Sequence, residues 1–155
     1  DHDQRSEPPN IWRDGLSEIL TDEQTRALAA HDRTTTAWQH DAVAALVLTE
    51  IEKSMPLTLI TRESLRPRLR QVIEDFEPEF NQTYSFEWPL QSYYACIPLE
   101  MLGEEGLAEF FDEDEIKLLR DTCLTQTGQF AEQIREQQAR RTGGPIIGVP
   151  PLLAR

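Results

Sequence analysis

The 155 residues carry 28 acidic against 15 basic side chains, a net charge of -13 and a pI near 4.6. That balance excludes a nucleic-acid backbone as partner, since phosphate binding needs clustered Lys and Arg, and it repels an anionic membrane surface. A hydrophobic fraction of 39% over this length allows one domain with a real core, and no run nears the roughly 18 apolar residues of a membrane span, so no direct membrane insertion is expected.

Residues 1–9, with Pro8 and Pro9, read as a flexible N-terminal segment. Asn10 can cap a short helix through Ile11, Trp12, Leu16, Ile19 and Leu20. Next, Leu20-Thr21-Asp22-Glu23-Gln24 has the form of a capping box: Thr21 accepts from the third helical N–H and Gln24 reaches back to the N–H of Thr21. With no Gly or Pro until Pro56, the spacing predicts a helix over residues 21–55, roughly 50 Å long. Steps of three and four place Ala30, Thr34, Ala37, Trp38, Asp41, Ala44, Ala45, Leu48, Ile51 and Met55 on one stripe facing a partner. The run 42–48 is apolar on every face and should be enclosed. Thr34, Thr35 and Thr36 are poor helix formers, so a bend there is allowed.

After Pro56 a second helix carries Leu65, Leu69, Val72, Ile73 and Phe76 on one stripe; Pro67 fits only near its first turn, which favours a start within 61–64. Seven of the twelve aromatics fall between Phe76 and Tyr94, on a loop that either plugs the core or presents a sticky surface. Pro89 suits the start of another helix, and Pro98 should kink or restart it. Asp112 with Glu115 forms a second cap, opening a last helix through Ile116, Leu119, Cys123, Phe130 and Ile134 to about Arg141. Strand-like alternation and hairpin turns are missing. The expectation is an all-α fold: one domain over 10–141, four or five helices built as a hairpin around the long helix, and a Gly/Pro-containing tail over 142–155.

Arg62, Arg66 and Arg70 recur every four residues as a basic strip, either a solvated face with an Arg70–Glu74 pair or a docking strip for an acidic partner. If Tyr84, Phe86 and Trp88 are exposed beside it, the two make an amphipathic protein-binding surface. Asp41, on the core stripe, should bond to Trp38, a Tyr or Arg33. His31 and His40 stand nine residues apart, about two and a half turns, and cannot share an ion without ligands from elsewhere. No metal site, catalytic residue or cofactor is assigned, because Ser, Cys, His and acids never gather into a nucleophile arrangement. Cys96 and Cys123, outside any CxxC pattern, are either two free buried thiols or one disulfide.

Three segments share one design: Leu20-Thr21-x-x-Gln24, Leu57-Thr58-x-x-Thr61 and Phe111-Asp112-x-x-Glu115. A fourth, Leu124-Thr125-Gln126-Thr127-Gly128, falls within the last predicted helix. At these residues, over roughly 16–119, the chain resembles the LTxxQ-motif extracytoplasmic proteins, the group containing the Spy and CpxP types. It looks most like planctomycete members in which a long helix lies between successive motifs. The resemblance implies a helical, extracytoplasmic (periplasmic) protein that works by binding a protein partner or a second copy of itself, without enzymatic activity, as a chaperone-like module or a stress sensor/adaptor. A start at Asp1 rather than Met is what a mature chain relieved of its export segment would show. The alternatives are a structural subunit or appended domain of a larger assembly, and a divalent-metal-responsive sensor.

Overall fold

The structure, a computed structural model, describes residues 15–16, 19–84 and 95–143, with backbone alone for 81–84. The described residues are all-helical, without strands. Among the described residues seven helices follow in order: α1 (Asp22–Glu52), α2 (Leu59–Asp75), α3 (Glu77–Tyr84), α4 (Ile97–Glu100), α5 (Gly103–Ala108), α6 (Glu113–Asp121) and α7 (Gly128–Thr142). The expected four or five are exceeded because Pro and Thr cut the later chain into short pieces. Backbone packing defines two compact units, residues 1–38 and 39–155.

All three shared segments are helix N-termini. Thr21 N–H donates to Gln24 Oε1 at 3.0 Å and Gln24 N–H to Thr21 Oγ1 at 3.3 Å. Asp112 and Glu115 repeat the reciprocal box at 3.0 and 2.9 Å, ahead of α6. Thr58 accepts from Thr61 N–H at 3.1 Å, and the Thr61 hydroxyl, at the Gln position of the first segment, pairs at 2.8 Å with the Thr58 hydroxyl instead of reaching back to a main-chain N–H. Each cap satisfies N–H groups that no turn of helix can reach.

In the first unit α1 contributes exposed turns. Its three threonines do not interrupt it: the helix is continuous through them, and the Thr34 hydroxyl donates to the Ala30 carbonyl at 3.0 Å. Trp38, placed on the core stripe by its spacing, is 70% exposed instead.

In the second unit, Ala44, Val47, Leu48, Ile51 and Met55 are buried against Leu65, Leu69 and Ile73 of α2 together with Cys96, Leu99, Leu107, Phe111, Leu119 and Leu124. Ala42 is exposed, and Val43, Ala45 and Leu46 are half-buried, so the apolar run is covered on one side rather than all round. A second cluster joins Val72, Phe80, Ile97, Met101, Ala131 and Ile134. Near backbone approaches recur most between α7 and α4 and between α7 and α3, not along α1. Ala131 on α7 is fully buried and small enough to permit them, whereas α1 packs through Leu48 and Ile51, which hold backbones further apart.

Three boundaries depart from expectation. Helix α2 begins at Leu59, because Thr58 already caps it, so Pro67 lies in its interior rather than its first turn. The carbonyl of Glu63 loses its helical partner there, a loss eased by solvent since Pro67 is exposed. Helix α3 occupies part of the expected aromatic loop, with Phe80 fully buried. The predicted last helix is two. Thr122 leaves helical geometry at φ -120 and ψ -94, and the hydroxyls of Thr122, Thr125 and Thr127 donate to the Leu118, Thr122 and Leu124 carbonyls at 2.7, 2.7 and 3.1 Å. Local side-chain bonds of this kind compete with the helix ladder. The fourth Leu-Thr segment thus lies at the junction before α7, not within a helix. Pro98 restarts the chain as expected, in the first turn of α4, and Gly143, at φ 68, closes α7.

Candidate binding surface

The α2 arginines sit on the helix as their spacing requires, and two of them reach across to α1. Arg62 Nη1 donates to Glu52 Oε1 at 2.6 Å. Arg66 grips Asp41 with both arms, Nε to Oδ1 at 3.0 Å and Nη2 to Oδ2 at 2.5 Å. The paired fork fixes the register of α2 against the second half of α1. It also answers where the Asp41 carboxylate goes: to Arg66, not to Trp38, a Tyr or Arg33. The hydrogen bond from Arg66 lowers the Asp41 carboxyl from its ordinary value, against an opposing effect of burial, and the charges of Arg66 and Arg70 add to the lowering. Asp41 and Arg66 are about a third and nearly half exposed, so water screens the pair and its worth is at most about 1 kcal/mol. Arg70 is exposed.

At the head of α2, Leu59 and Ile60 are 69% and 80% exposed. Leu59 lies one turn before Arg62 and two before Arg66, on the same side of the helix, so apolar surface and positive charge adjoin. Periodicity missed this pair, because Leu57 to Ile60 read as a helix entry rather than as surface. Tyr84 ends α3, its side chain outside the described atoms. Phe86 and Trp88 lie outside the described residues, as do Trp12 and the expected start at Pro89.

Two buried acids also escaped the sequence reading. Glu79, 2% exposed, receives Arg141 Nε at 2.5 Å, tying α3 to the end of α7. Glu100, 7% exposed, receives Arg120 Nη1 at 2.5 Å, while the other arm of Arg120 takes Glu104. Arg135 Nη2 donates to the Glu100 carbonyl at 2.9 Å. An acid lodged between Leu99 and Met101 was the available signal for this network.

His31 is exposed. His40 Nε2 is buried, 3.4 Å from Glu77 Oε1 but outside hydrogen-bond geometry. Among the described residues no group of three or more His, Cys, Asp or Glu is placed to hold a metal ion. Among them, too, no helix is long and apolar enough to cross a membrane. Both cysteines are free thiols, Cys96 buried and Cys123 half-buried. No protein-family model, no curated protein and no solved structure matches the chain.

Proposed function

We propose that this protein is a non-catalytic, extracytoplasmic protein-binding module, chaperone-like or a stress sensor/adaptor, organised as a helical bundle around α1. The observation that carries the reading is the bare apolar pair Leu59 and Ile60 beside the basic strip of Arg62, Arg66 and Arg70. An apolar patch bordered by guanidinium groups suits a polypeptide segment that mixes apolar and acidic side chains. From the sequence, Tyr84, Phe86 and Trp88 are further aromatic candidates for contact with the same partner. The three capped helix starts and the likeness to LTxxQ-motif proteins support a helical binding role and the periplasmic location.

Replacing both apolar residues (Leu59→Ser with Ile60→Ser) or truncating Trp88→Ala should weaken capture of a permanently unfolded acidic polypeptide, such as reduced and alkylated α-lactalbumin. Losing the burial of even one such side chain raises Kd about tenfold or more. The melting temperature should stay near that of the wild type, since Leu59 and Ile60 support no core contact. Unchanged Kd in both variants would refute the reading.

One observation favours a second reading, a structural subunit of a larger assembly. Ile19 and Trp38, in the first unit, are 79% and 70% exposed, an apolar display suited to a constant partner. Such a subunit would purify from its source in one fixed stoichiometry, and Trp38→Asp would release it.

A further inference from the structure

The two cysteines come from distant parts of the chain and meet in one place. A cleft of about 440 Å³ opens at the C-terminal end of α1, lined by Glu50, Lys53, Cys96, Thr122 and Cys123 among others. Cys96 sits at the N-terminal boundary of α4, 1% exposed, while Cys123 lies on the α6–α7 connection and is half-buried. Cys123 packs against the core cluster that holds Cys96, and both thiols line this one cleft. A metal is the wrong occupant for two sulfurs alone, since no third ligand stands with them among the described residues.

The partners are unequal. Hydrogen bonding with Cys96 holds the Cys123 thiol below its ordinary value, with help from the main-chain N–H of Cys123 and against partial burial and the Glu50 charge. The Thr122 hydroxyl adds little, because its single proton already goes to the Leu118 carbonyl at 2.7 Å. Cys96 is pushed far up by that same hydrogen bond and by burial. The pair therefore yields one proton readily and the second with difficulty, and the accessible sulfur is the one that ionises. Lys53, paired with Glu50 at 2.6 Å, lines the same cleft with most of its side chain in water, where it can meet a ligand carboxylate.

We infer that Cys123 and Cys96 form a thiol–disulfide exchange site whose cleft admits a low-molecular-weight disulfide, with Cys123 the attacking and Cys96 the resolving sulfur. A cleft of this volume is in the range that holds a small organic ligand. In the first step the Cys123 thiolate attacks one sulfur of the ligand: a protein–ligand S–S bond forms, the ligand S–S bond breaks, and one thiolate leaves and takes a proton from water. In the second, Cys96 loses its proton to water and its sulfur attacks Cys123 Sγ. The mixed disulfide breaks, and the second ligand thiolate leaves and is protonated. Two protein thiols are oxidised to one disulfide and one ligand disulfide is reduced to two thiols.

The test treats the full chain with oxidised glutathione, quenches by alkylation and weighs the intact protein. Wild type should lose two hydrogens and carry no glutathione. Cys96→Ser should stop with one glutathione on Cys123, and Cys123→Ser should react roughly tenfold slower or less readily still, because the remaining thiol is buried and protonated. Circular dichroism confirms that each variant is folded, and the same reactions in denaturant show that each thiol is chemically competent. A native wild type that stays a dithiol, a wild type that ends as a stable mixed disulfide, or a Cys123→Ser variant that reacts as fast as Cys96→Ser would each overturn the inference.

Discussion

Leu48→Ala should lower the free energy of unfolding by about 3 to 4 kcal/mol in a urea titration. Leu48 is fully buried on α1 and shares its cluster with Ile51 above it and with Leu65 and Leu69 of α2. Removing three carbons forfeits their transfer out of water and leaves a space that rigid neighbours cannot fill. Ile51, Leu65 and Leu69 are of the same size and share its cluster, so collapse is limited and the cost sits well above the lower bound for such changes. The slope of the titration should not change, because the surface exposed on unfolding is nearly the same. Trp38→Ala, ten residues earlier on the same helix, should change stability by no more than about 0.5 kcal/mol, since that ring is already in water. Equal costs at the two positions would mean that α1 is packed along its whole length.

Arg120→Ala should cost about 3 kcal/mol by the same measurement. Glu100 stays buried when its partner goes, and what remains near the carboxylate is the Thr127 hydroxyl at a long 3.4 Å. The Arg135 guanidinium does not compensate, because it is committed to the Glu100 carbonyl. Stranding a charge away from water is what makes breaking such a pair expensive; the figure lies at the low end of that range because Arg120 itself is about a third exposed. Replacing both partners tests the cause. Arg120→Met combined with Glu100→Leu leaves no buried charge and fills a similar volume, so the double variant should recover most of the loss. If it is no better than Arg120→Ala, packing of the arginine stem, not the orphaned carboxylate, sets the cost.

Local chemistry was legible in the sequence and long-range pairing was not. The boxes at Thr21 with Gln24 and at Asp112 with Glu115 could be read directly, because a cap needs only residues three apart. The core stripe from Ala44 to Met55 followed from a period of 3.6. That same period placed Trp38 and Asp41 on the stripe. Periodicity gives the angle around a helix and cannot say how far along it a partner extends. Asp41 finds Arg66 at a separation of 25 residues and Glu100 finds Arg120 at 20, distances over which no pattern in one sequence points from donor to acceptor. The break at Thr122 was hidden for another reason. Each threonine there is acceptable inside a helix, and only their joint bonding to nearby carbonyls ends one. Within the proposed surface, the spacing of Arg62, Arg66 and Arg70 was visible from the start. That two of them are first of all ties to α1 depends on Glu52 and Asp41, which the strip itself does not reveal.

Helix α1 is a single helix with two environments, a solvent-facing first half and a second half that packs one face into the core. Native-state amide hydrogen exchange reads this residue by residue. The amides of Val47, Leu48 and Ile51 should exchange only through global unfolding and lose protection in step with the urea-measured stability, while those of residues 26–37 exchange orders of magnitude faster through local opening. Uniform protection from one end of α1 to the other, or faster exchange at Leu48 than at Ala30, would contradict it.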